Sequence, residues 1–222
     1  MINNRIKPAQ QFYLTVEGET EISYFEHLKN LVNACDNAEY KLKLVIRKQN
    51  PISFIKSVTP IEMRAFHIFD YEGNSPEHNK NFEKNLKDVQ AAVELKKTGI
   101  EHYKIGYSNL CFELWILLHK IKYSALVSGA ANYLQQINKS YQTDFKRLED
   151  YKQKRHFERQ VLPKIKLEDV LQAIKYAKEI RNNNAQTSKQ NRQIGGVTYY
   201  YDNPDLTIHE CVEEMLKECG IV

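Results

Sequence analysis

The sequence has no cysteines or histidines at zinc-ligand spacing. Its four cysteines, Cys35, Cys111, Cys211 and Cys219, form no CxxC pair. They read as reduced, mostly buried thiols rather than a metal knuckle. The seven histidines show no pairing at ligand spacing. No apolar run approaches the roughly 20 residues that a membrane span needs. The opening MINNRIKPAQQ lacks the apolar segment of a secretory signal, which points to a cytoplasmic location. There is no Walker motif, so no ATP site is expected in this chain.

What is present is a chain of 222 residues, 42 % hydrophobic and 27 % charged. That is enough for a real core in one large domain, or a domain with an insertion. The net charge of +4 is unevenly spread. Residues 1–120 are nearly balanced, residues 121–201 carry a net +8, and residues 202–222 carry −5. A basic middle region suits a polyanion, although a solvated helical surface has the same composition.

The first half alternates between strand and helix patterns. Phe12–Glu17 reads as a strand, followed by a helix over Gly18–Asn33 with Ile22, Phe25, Leu28 and Val32 at helical spacing. Further strands are predicted at Tyr40–Arg47, Ala65–Phe69 and Tyr103–Tyr107. Helices are predicted at Pro51–Val58, Asn79–Lys97, stopped by Thr98-Gly99, and Leu110–His119. Tyr71–Asn74 is turn chemistry. These elements predict an α/β fold with a central, mostly parallel four-stranded sheet flanked by helices.

The second half predicts a helical extension, residues 121–222, packed on a core of residues 8–120 within one compact domain. Helices are expected at Tyr123–Tyr141, Lys146–Arg159, Leu167–Arg181 and Pro204–Cys219, the last acidic and stopped by Gly220. Asn182–Tyr201 contains no acid and reads as a mobile loop, with Tyr199–Tyr201 open to forming a last strand. His119, at a helix end, reads as a favourable C-terminal charge.

VEGETEISYF, residues 16–25, gathers Glu17, Glu19 and Glu21 where the first strand hands over to a helix. Asp70 and Glu72 follow the third strand. Ser108 and Glu113 follow the fourth. In an open α/β sheet, ligands bind beyond the carboxyl ends of the strands. Hard divalent cations want oxygen ligands, and two such ions about 4 Å apart promote phosphodiester hydrolysis. First-turn acids are also favoured by the helix dipole alone, and D-x-E is common turn chemistry. Arg47 and Lys48 end the second strand near this crevice. Lys154, Arg155, Arg159, Lys189 and Arg192 are further cations placed to meet nucleic-acid phosphates, or to line a solvated surface.

EGETEISYF, FDYEG, SNLCFELWILLH and NPDLTIHECVEEML, in this order over residues 10–219, resemble the RloB-like family of bacterial toprim proteins. That resemblance implies a toprim-like core whose acids bind Mg²⁺, with Mn²⁺ able to substitute. Carried over, Glu17, Glu21, Asp70 and Glu72 are the catalytic and metal-binding acids, with Ser108 and Glu113 supporting a second ion. Glu72 stands where the family pattern has aspartate, one methylene longer. The resemblance also implies anti-phage defence of the abortive-infection or restriction-linked kind, with a partner ATPase of the ABC or AAA type.

Three functions follow as expectations. The first is a Mg²⁺-dependent endonuclease acting on DNA or RNA. The second is a non-catalytic toprim subunit that binds or regulates an ATPase. The third, a primase-like activity, is weaker because the chain has no room for further domains and no zinc ribbon.

Overall fold

The computed structural model describes residues 7–59, 61–73, 75–95, 99–187 and 189–222. The first half follows the expected alternation. β1 (Ala9–Val16) leads into α1 (Glu19–Ala34), β2 (Lys41–Arg47) into α2 (Pro51–Ser57), and β3 (Met63–Asp70) into α3 (Pro76–Leu95). β4 (Ile100–Asn109) then leads into the short α4 (Glu113–Leu118). The predicted turn residue Asn74, and Lys97 and Thr98 at the predicted end of the third helix, lie outside the described residues, as do residues 1–6. Asn50 caps α2 by accepting hydrogen bonds from the amides of Ile52 and Ser53, and Pro51 occupies the first turn, where no donor is needed.

Beyond residue 120 the chain forms α5 (Ala131–Tyr141), α6 (Leu148–Lys152), α7 (Lys154–Gln160) and α8 (Leu167–Gln186). It continues through β5 (Asn191–Ile194), β6 (Val197–Tyr200), β7 (Asp205–Leu206) and α9 (Ile208–Glu218). The expected helical extension therefore also carries three short strands, and the strand left open at Tyr199–Tyr201 is present as part of β6. The first expected helix starts eight residues late, because the side chain of Asn203 brackets the backbone of Val127 and holds it out of the helix. The second is split at Gln153, whose backbone is extended. The expected mobile loop is the end of α8 followed by a hairpin. Gly195 and Gly196 at its tip have φ of +58° and +78°, the left-handed geometry of a tight two-residue turn.

The sheet has five strands rather than four, in the order β2-β1-β3-β4-β7. β1 to β4 are parallel, and β7 pairs antiparallel with Ser108 and Asn109 of β4. Strand alternation sends side chains to opposite faces. Phe12, Leu14, Val16, Phe66 and Ile68 face a core shared with α1, α4, α5, α7, α8 and α9. Ala65 and Phe69 face a second core under α2 and α3, sealed by Tyr199 of β6. Gly106 lets α9 approach β4 closely: a Cβ there would stand 2.9 Å from Cys211 Sγ and 2.7 Å from Ile68 Cδ1.

α4 is buried on every side, including Trp115 and Glu113. His119, which follows it, is not the charged helix end expected. It is buried between the Tyr24 hydroxyl and the Trp115 carbonyl, and burial pulls its pKa down to about 4, so it is neutral. All four cysteines are free, and Cys111, Cys211 and Cys219 are buried. Among the described residues, no helix is long and apolar enough to cross a membrane.

Candidate active site

The parallel register brings three strand ends to one level. Val16 of β1 lies beside Ile68 of β3, and Asp70 of β3 lies beside Ser108 of β4. Each strand hands over to a helix or turn that begins with an acid. Glu17 leaves β1, Asp70 closes β3, and Glu113 opens α4.

Glu17 sits on the rim and is held from both sides. Its Oε2 accepts a hydrogen bond from the Asp70 amide at 3.4 Å, and its Oε1 accepts one from the Asn85 amide group of α3 at 3.3 Å. Glu21, in the first turn of α1, is only 6 % exposed. Its carboxylate folds back over Gly18, where a Cβ would stand 2.5 Å from Oε2. Gly18 has ordinary extended backbone, so glycine here leaves room for the Glu21 carboxylate and is not needed for conformation.

Glu113 lies deepest. Among the described residues, neither of its carboxylate oxygens has a hydrogen-bond partner, nor has the buried Ser108 hydroxyl. The nearest compensating charge is the Lys152 ammonium of α6, 3.2 Å from Glu113 Oε1 but not aligned as a hydrogen bond.

The electrostatics record the crowding. Burial, and then the charges of Glu113 and Glu17, push the Glu21 carboxyl up to about 7 despite Lys152. Burial followed by the charges of Glu21, Glu113 and Glu17 holds Asp70 well above the carboxylate range. The protein packed around Glu17 raises its pKa, and Glu72 adds to this. Burial alone would lower Lys152, but Glu113 and Asp70 outweigh it and raise the ammonium.

Glu17, Asp70 and Glu72 line one cleft of about 230 Å³ with His78 and Asn85. Glu72 itself is exposed. Its backbone is left-handed, with φ +61°, and its side chain lies 3.9 Å from His78. It therefore stands at the rim, apart from the buried acids.

The side chains at these strand ends suit a hard divalent cation. The donors are oxygens throughout, and buried Glu113, through both carboxylate oxygens, and Ser108 present unpaired oxygens beside the other acids, which is the chemistry Mg²⁺ takes. Among the described residues, no three acids, histidines or cysteines are drawn into a finished cage. Mg²⁺ does not need one, since it keeps several waters and uses one or two carboxylates plus substrate phosphate.

The expected phosphate-binding cations divide into three groups. Arg47 and Lys48 are exposed beside the cleft. Lys154, Arg155 and Arg159 are exposed on α7, with Lys154 4.0 Å from Glu19. Lys189 reaches the Asn203 carbonyl at 3.5 Å, and Arg192 is paired with Glu83 of α3, so both are occupied in fastening the hairpin. Sequence reasoning missed Lys152 and Asn85. Only the break between α6 and α7 turns Lys152 toward the acids, and no local pattern marks Asn85.

Fold and cleft together define an α/β protein with an acidic site at the carboxyl ends of its parallel strands. The model of one family, described as RloB-like protein, matches residues 12–215, and the chain belongs to that family. No curated protein and no solved structure matches the chain.

Proposed function

We propose that this chain is a toprim-type, Mg²⁺-dependent endonuclease. One observation carries the reading. Four carboxylates from three strand ends crowd one place with, among the described residues, one lysine beside them, and two are buried enough to resist ionisation. Negative charge concentrated this way is costly without a cation. Glu17, Glu21, Asp70 and Glu113 would hold the ion, with Ser108 and the rim acid Glu72 beside it. When bound, Mg²⁺ would supply charge neutralisation and Lewis acidity at a phosphodiester. The chain's own groups do the rest. Asn85 and the Asp70 amide orient Glu17, Lys152 offsets Glu113, and Lys48 and Arg47 draw the phosphate backbone to the cleft.

We infer from the family resemblance a role in anti-phage defence, with an ATPase as partner. A second reading, a non-catalytic subunit docked on that ATPase, draws on the displaced Glu72 and the absence of a finished cage among the described residues. Titration calorimetry with Mn²⁺ separates the two. Saturable binding lost in both Glu17→Gln and Asp70→Asn supports the nuclease. No binding to folded wild type turns the assignment to the subunit.

A further inference from the structure

A second cleft, of about 310 Å³, adjoins the first. It is lined by Val16, Glu17, Lys48, Asn50, His67 and Asn85, so Glu17 and Asn85 form the wall common to both. His67 lies on β3, is 2 % exposed, and stacks on Phe69 with ring centroids 4.9 Å apart. Its Nδ1 is 2.9 Å from Thr15 Oγ1 and 3.3 Å from the Thr15 carbonyl. A carbonyl can only accept, so this pairing assigns the proton to Nδ1. Thr15 Oγ1 is in turn 2.6 Å from the Tyr103 hydroxyl, which completes a buried chain. The opposite ring nitrogen, Nε2, is left with a bare lone pair and no partner among the described residues. Burial keeps the ring neutral by pulling its pKa down to about 4.

Of the other polar side chains of this cleft, Asn50 and Asn85 are already engaged, while the exposed Gln49 has no partner among the described residues. Asn50 caps α2 and donates to Asp88, and Asn85 donates to Glu17. Lys48 is exposed and has no partner among the described residues. The cleft therefore offers an incoming molecule one cation, one buried acceptor and, at its exposed edge, the Gln49 amide, directly beside Glu17. It offers no free aromatic face, because the imidazole is stacked on Phe69, so it lacks the platform on which bases are gripped. A sugar-phosphate unit fits these terms.

We propose that this cleft is a ribonucleotide subsite, in which Lys48 takes a phosphate and Nε2 of His67 accepts a hydrogen bond from the ribose 2′-hydroxyl. The inference rests on the nuclease reading and deepens it: the substrate is RNA. A DNA strand would leave Nε2 buried and unpaired, which is the basis of the discrimination. His67 is thus a specificity-determining residue and does not touch the reacting phosphorus.

The test is fluorescence anisotropy with Ca²⁺ in place of Mg²⁺. It uses a short single-stranded RNA of mixed sequence, its DNA counterpart and its 2′-O-methyl counterpart, which keeps the RNA pucker but has no hydroxyl to donate. Wild type is expected to bind RNA roughly fivefold to tenfold tighter than the other two, the size of one hydrogen bond. His67→Asn keeps an amide where Nδ1 stood and should lose the preference while binding DNA as before. His67→Gln puts its amide oxygen near Nε2 and should restore part of it. Lys48→Ala should weaken all three polymers alike. Thermal melts check that each variant is folded, and the 2′-O-methyl comparison on wild type needs no variant. Equal binding of the three polymers by wild type overturns the subsite alone, as does a preference that survives in folded His67→Asn. Wild type that binds no polymer at all overturns the nuclease reading and the subsite with it.

Discussion

Glu21 lies folded over Gly18, with Oε2 2.5 Å from where a Cβ on residue 18 would stand. The two residues are three apart in sequence, and the contact sets where a buried acid points. Gly18→Ala is compatible with the backbone there, so only the flexible carboxylate has to move. The variant should fold with a Tm within about 2 °C of wild type, since only the end of a flexible side chain has to shift. Mn²⁺ affinity, read by calorimetry, should fall about tenfold, because a displaced ligand misses the ion.

The raised pKa of Glu21 makes stability depend on pH in a defined sense. Its carboxyl titrates near 7 in the folded chain, against a usual 4.5. Folding therefore favours the protonated form. The contribution is fully present below pH 4.5 and is lost as pH rises from there to 7. Ionising Glu21 should cost on the order of 2–3 kcal/mol, after allowance for its coupling to Glu113 and Glu17. Urea unfolding of wild type and Glu21→Gln between pH 5 and 8 measures this, and the variant should show a flatter profile. Mn²⁺ should restore stability at the upper end of the range, where the acids are charged.

A third prediction concerns the hairpin's anchor. Asp205 is fully buried and accepts from Arg181 Nη1 at 3.0 Å, from the Asn184 amide group at 3.2 Å, from the Tyr200 backbone at 3.2 Å and from the Tyr107 hydroxyl. Arg181 also donates to the Thr198 carbonyl of β6 at 3.1 Å. Asp205→Ala leaves a mostly buried guanidinium without its anion, which should cost about 3–5 kcal/mol in urea unfolding. Asp205→Asn keeps part of the hydrogen bonding and should lose less.

The first half of the fold was legible because its signals are local. Alternation in β2, the Asn50-Pro51 start of α2 and the apolar stripe of α3 each lie within one element. The acids were legible for the same reason, since each follows a strand end. What escaped depended on distant partners. Val127 is kept from helix by Asn203, 76 residues on. His119 looks like a helix-end cation until Tyr24, from the other end of the fold, closes over it. The β5–β6 hairpin is polar and short, yet Gly195-Gly196 between alternating residues carried its turn signal. Lys152 escaped because the break at Gln153, and not the charge pattern, decides which way it faces.

The antiparallel pairing of β7 with Ser108 and Asn109 has a consequence for the order of events during folding. All of the acids have been synthesised by residue 113, but the end of β4, where Ser108 lies beside Asp70, is pinned by Asp205, Leu206 and Thr207. Closing that loop of nearly a hundred residues is entropically slow compared with the local βα units. The growing chain therefore carries its acids well before it can hold them together. The arrangement of the acids is completed in one late step, and a chain halted short of residue 205 lacks the strand that pins the β4 end.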